Sequence, residues 1–85
     1  METFKMPRSL NEIAREIARD WRPVWFGAKP YLEAMHSLET VRDAYGADSG
    51  VSIVAYFLSN ASQWRGETAR RVKAELRAML KAAGR

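Results

Sequence analysis

Only one run in this 85-residue chain, Val51-Ser52-Ile53-Val54-Ala55-Tyr56-Phe57-Leu58, is rich in the strand formers Val, Ile, Tyr and Phe. No second strand-like segment offers it a partner, and a lone strand leaves its backbone N–H and C=O groups unsatisfied. The chain is therefore expected to be all-α. The run itself reads as a short helix over about residues 49–59, apolar nearly all round and central in the fold. Asp48-Ser49 supplies its N-cap, and Ser59 with Asn60 ends it.

Three further helices follow from spacing and punctuation. Ser9-Leu10-Asn11-Glu12 is a capping box, and Leu10, Ile13, Ala14, Ile17, Ala18 and Trp21 form one apolar stripe behind it. Glu12, Arg15, Glu16, Arg19 and Asp20 fall on the opposite, charged side. Pro23 ends the first helix, because helix is disfavoured at the residue before a proline, and the helix spans about 10–22. Pro30 suits a first helical turn, and Tyr31, Ala34, Leu38, Val41 and Tyr45 recur by three and four up to Gly46. That pattern predicts a second helix over 30–45. The last helix is expected from Ser62 to about Ala82, with Ala69, Val72, Leu76, Met79, Leu80 and Ala83 on one face. The expectation is one compact four-helix domain over residues 1–85, frayed at 1–8 and 83–85.

Composition narrows the chemistry. An apolar fraction of 47% with 28% charged residues is that of a globular domain and excludes a disordered tail. With no cysteine, neither a disulfide framework nor a thiolate metal site is open to it. No apolar run reaches the roughly 18 residues of a membrane span, and Met1–Pro7 lacks the apolar run of a signal peptide. No membrane association and a cytoplasmic location are the corresponding expectations. The single histidine, His36, stands between Met35 and Ser37 with no triad partners in view, so it reads as a surface or boundary residue. The five glycines match neither phosphate-loop nor dinucleotide-binding spacing. Gly46-Ala47-Asp48-Ser49-Gly50 reads as a helix C-cap followed by an N-cap. No catalytic residue, metal, cofactor or small-molecule substrate is expected, and the chain reads as a binding protein rather than an enzyme.

Charge is unevenly placed. The chain carries +4 overall, yet residues 62–85 hold seven basic side chains against Glu67 and Glu75, and the remainder is slightly acidic. At roughly 100° per residue, Arg70, Lys73, Arg77 and Lys81 gather on one flank of the last helix's apolar face. Glu67, Arg71 and Glu75 lie on the other. Like charges at this spacing repel by about 0.2–0.5 kcal/mol per pair. Compensation by nucleic-acid phosphate, by an acidic protein or by carboxylates of the first helix is weighed against a plain solvated face. Ala55, Leu58, Ser59 and Ser62 approximate a helix-turn-helix, with Arg65, Glu67, Thr68 and Arg71 toward the groove. Ser59 stands where glycine is wanted, however, and a bundle hairpin accounts for the same pattern.

Aromatic residues give the third clue. Trp21, Trp25, Phe26, Tyr31 and Trp64 are many large side chains for so small a core, since each buries roughly 150–250 Å². Trp21 and Tyr31 are expected to fold the Pro23–Pro30 connection onto the helices. Trp25, Phe26, Trp64 and Arg65 are the expected contacts with a protein partner or a second copy, because Trp and Arg dominate interface hot spots.

Four strings carry a resemblance: Pro30-Tyr31-Leu32-Glu33-Ala34-Met35, Asp43-Ala44-Tyr45-Gly46-Ala47-Asp48-Ser49, Ile53-Val54-Ala55-Tyr56-Phe57-Leu58-Ser59-Asn60-Ala61 and Trp64-Arg65-Gly66-Glu67-Thr68-Ala69-Arg70. They resemble small uncharacterised helical proteins encoded by actinobacteria and their phages. The resemblance implies a phage or mobile-element accessory protein acting in the cytoplasm of a bacterial host, and it implies no residue-level activity. A protein-binding role leads on the sequence, with DNA binding through the last helix as the alternative.

Overall fold

The structure, a computed structural model, describes residues 8–84. Of the frayed ends expected at 1–8 and 83–85, residues 1–7 and 85 lie outside the described residues. Four helices pack around one core, and a two-strand ribbon joins the second to the third.

The first helix, α1 (Leu10–Asp20), starts where its cap predicts. The Ser9 hydroxyl accepts from the Glu12 N–H at 3.3 Å, and the Glu12 carboxylate accepts from the Ser9 N–H at 3.1 Å. Leu10, Ile13, Ala14 and Ile17 are completely buried. The helix ends two residues earlier than expected. Trp21 is already extended (φ −103°, ψ 93°), and Pro23 follows a cis peptide bond.

The second helix is the main correction. It spans Lys29–Met35, not 30–45. Ser37 and Leu38 donate to Ala34 and Met35 over three residues, a tightened final turn. Beyond it the carbonyls are taken elsewhere. Leu10 N–H donates to Glu39 C=O at 2.8 Å, and Asn11 N–H donates to Leu38 C=O at 3.0 Å. These are orphan donors of the first turn of α1, satisfied by the turn that replaces the rest of α2. Asp43 competes as well, its carboxylate accepting from the Glu39 and Thr40 N–H groups at 3.0 Å each. Leu38 and Val41 still reach the core, but from a turn rather than a helix.

Ala44–Tyr45 (β1) and Asp48–Ser49 (β2) then pair antiparallel, Ala44 opposite Ser49 and Tyr45 opposite Asp48. This ribbon is a small departure from an all-α chain. Gly46, expected to close a helix, is the first residue of the two-residue hairpin turn. Its φ is +62° and Ala47, beside it in the turn, has no positive φ, the pattern of a II′ turn.

The strand-like run is helical, as the absence of a partner strand requires. It forms α3 (Gly50–Ser59), with the Ser49 hydroxyl accepting from the Ser52 N–H at 3.1 Å. Ile53, Val54 and Phe57 are buried, but Tyr56 is half exposed, so the helix is not apolar all round its surface. Gly50 is buried against the preceding turn: a Cβ there would lie 2.8 Å from the Val41 carbonyl oxygen. That seat requires glycine.

The last helix, α4, is Glu67–Ala82 rather than 62–82. Ser62 does not cap it. Trp64 N–H bonds to Ala61 C=O in a turn, and both residues enter the core, so the backbone leaves the helical path until Gly66. Gly66 occupies the N-cap at φ +111°, a conformation side-chain-bearing residues rarely adopt. Ala69, Val72 and Leu76 then point inward. Among the described residues, no helix is long and apolar enough to cross a membrane.

Candidate functional site

The two flanks of α4 have different electrostatic fates. On one, Arg8 places Nε 3.0 Å and Nη2 2.7 Å from the Glu75 carboxylate, a bidentate pair. Arg8 Nη1 also lies 2.9 Å from Glu16 of α1, whose other carboxylate oxygen accepts from Arg71. Arg71 and Arg8 together hold the Glu16 carboxyl below its ordinary range, although its partial burial opposes them. Arg8, expected in a frayed end, is instead tied to both α1 and α4. Sequence reasoning missed this four-member network, whose only signal was opposite charges on the non-core sides of two helices.

The other flank is cationic and unneutralised. Arg65, Arg70, Arg77 and Lys81 are exposed, and Lys73 is half buried between them. Among the described residues, no carboxylate pairs with any of the five. The carboxylates of α1 that were candidates to compensate this row face the opposite flank or the Trp64 ring instead. Lys73 registers the crowding. Burial lowers its pKa first, and the charges of Arg77 and Arg65 lower it further. Its ammonium donates to the Trp64 carbonyl at 2.7 Å and lies 6.0 Å from the centre of the Trp64 ring. An ammonium has three donors, so Lys73 keeps two beyond that bond. The structure thus brings Arg70, Lys73, Arg77 and Lys81 together as the helical spacing predicts, and adds Arg65.

The aromatic candidates divide. Trp64, expected at an interface, belongs to the core at 2% exposure. Its ring stacks on Trp21 (5.9 Å, 9°), meets Phe57 edge-on at 6.5 Å, and donates through Nε1 to Asp20 at 2.8 Å. The reason is that the helix begins at Glu67, so Trp64 sits in a turn free to face inward. Arg65, its neighbour, stays outside. Among the described residues, Phe26 is the most exposed large apolar residue at 78%, while Trp25 is half buried, 5.3 Å from the Phe26 ring and folded over Gly27. Trp21 and Tyr31 pack against the core as expected. Tyr31 also approaches Tyr56 of α3 at 5.5 Å, a half-exposed pair that the sequence reading did not single out.

The seven residues between α3 and α4 exceed the three or four of a helix-turn-helix turn, and Arg71 is committed to Glu16. The helix-turn-helix likeness therefore does not extend to the geometry. His36 is exposed on the rim of a groove with Trp21, Pro23 and Leu32. Among the described residues, no cluster of three or more His, Cys, Asp or Glu side chains is placed to hold a metal ion. Compared with known proteins, the chain matches no family model, no curated protein and no solved structure.

Proposed function

We propose that this chain is a non-enzymatic helical binding protein that engages nucleic acid through the cationic flank of α4. The observation that carries this reading is the row Arg65, Arg70, Lys73, Arg77 and Lys81, with no carboxylate paired to it among the described residues, while Arg8 and Arg71 are matched by Glu16 and Glu75. Such a row repels itself, and a phosphate backbone relieves the repulsion while releasing condensed counterions. The resemblance to actinobacterial and phage proteins fits an accessory role in a bacterial cytoplasm.

The test is fluorescence anisotropy of a labelled mixed-sequence duplex at several salt concentrations. A Kd of roughly 10⁻⁴–10⁻⁶ M near physiological salt is expected. Arg70→Ala and Arg77→Ala should each flatten the log–log salt slope by about one. No binding at low salt, or weaker binding at unchanged slope, would overturn the reading.

A second reading rests on Phe26, whose exposure favours a protein contact or self-association through the Trp25–Phe26 tip. Self-association abolished by Phe26→Ser, with the duplex ignored, would promote it.

A further inference from the structure

Resting on the nucleic-acid reading, we infer that the flank of α4 takes a rigid double helix, gripped along its phosphates without regard to sequence, and not a single strand. Single-strand binders add aromatic platforms to a positive groove, because stacking each base contributes roughly tenfold in affinity. Among the described residues, the α4 flank has no such platform. The one aromatic side chain it touches, Trp64, is 2% exposed and has its ring face covered by Trp21. The exposed aromatics Phe26, Tyr45 and Tyr56 belong to the connection before α2, to β1 and to α3.

What the flank offers suits a duplex instead. From Arg70 to Lys81 the row runs about 16 Å along a straight helix, at roughly 1.5 Å per residue. A double helix presents one charge per about 1.7 Å of its axis, fixed in place, whereas a single strand is sparser and must be ordered on binding. Ala74 and Ala78, both exposed beside the row, let the helix backbone approach a sugar–phosphate wall closely. Phosphate contacts of this kind position a protein and carry no sequence information.

The test compares a 25-base-pair DNA duplex of mixed sequence with each of its separated strands, using the whole chain at low salt. The duplex is expected to bind at least tenfold tighter, and a second duplex of unrelated sequence equally well. Arg70→Ala with Arg77→Ala should weaken duplex binding at least tenfold. The charge-matched control, Arg15→Ala with Arg19→Ala on the exposed side of α1, should change it less than threefold. Strands bound as tightly as the duplex would overturn this inference and leave the nucleic-acid reading standing. Equal losses in both double variants would show that net charge acts rather than this flank, and would overturn it too. Failure of the duplex and the strands alike would remove both readings. Far-ultraviolet circular dichroism of each variant separates lost contacts from lost folding.

Discussion

Trp64 joins the inside of the molecule to its cationic surface through one side chain and one carbonyl. The ring stacks on Trp21 and meets Phe57, the indole nitrogen is held by Asp20, and the carbonyl receives the Lys73 ammonium. Trp64→Ala should therefore cost about 3–5 kcal/mol, by emptying a filled site and removing the indole donor to Asp20, while the backbone carbonyl that holds Lys73 stays. Phe26→Ser, at the most exposed apolar position, should stay within about 0.5 kcal/mol of the parent. Urea unfolding of the two variants measures the contrast, and equal losses would mean that Phe26 is packed. The sequence alone could not separate these residues. Both are large aromatics beside a turn, and only the start of α4 at Glu67 turns one inward.

At the scale of elements, the turn after α2 shows how tertiary bonds override periodicity. Leu38, Val41 and Tyr45 keep a helical rhythm, yet the carbonyls of Leu38 and Glu39 serve α1, and Asp43 ties the N–H groups of Glu39 and Thr40. The turn in turn seats α3. Gly50 N–H donates to Asp43 C=O at 2.7 Å, with the Val41 backbone where a side chain would stand. Gly50→Ala should push α3 off that backbone and destabilise by about 1–3 kcal/mol, an overpacking cost read from the urea midpoint. An unchanged midpoint would mean that the seat yields. Elements defined by local chemistry were legible: the box at Ser9 and Glu12 for α1, and the Ser49 cap for α3. The ribbon was not, because two residues per strand give no alternation to read and Gly46 serves a hairpin as readily as a helix end. The stretch of the cationic row from Arg70 to Lys81 was legible because it depends only on spacing within α4, whereas Arg65 joins it from the turn before the helix. The row's lack of partners was not, since that depends on where α1 places Glu16.

Across the whole molecule, charge sorts into a matched side and an unmatched side, and both gain stability as pH rises, each in its own window. Glu16, with Arg71 and Arg8, is held below its ordinary range, and so is Glu12 through the backbone N–H of Ser9. A carboxylate depressed by folding contributes stability that is complete above its unfolded value of about 4.3 and lost as pH falls through the folded one. Urea midpoints should therefore hold from about pH 7 to 5 and drop below about 4. Glu16→Gln should flatten that drop, and an undiminished drop would assign it to other carboxylates. For Lys73 the charged form is the disfavoured one, yet the slope has the same sign. Its depressed pKa means that its charge opposes folding at neutral pH, and stability rises with pH in the window between its folded and unfolded values. The bond from Lys73 to the Trp64 carbonyl, beside a stacked pair of indoles, also makes the chain its own optical gauge. An anion drawn to that ammonium would alter the field on a ring sealed from solvent. Arrival of a guest on the surface is thus written into light emitted from the core.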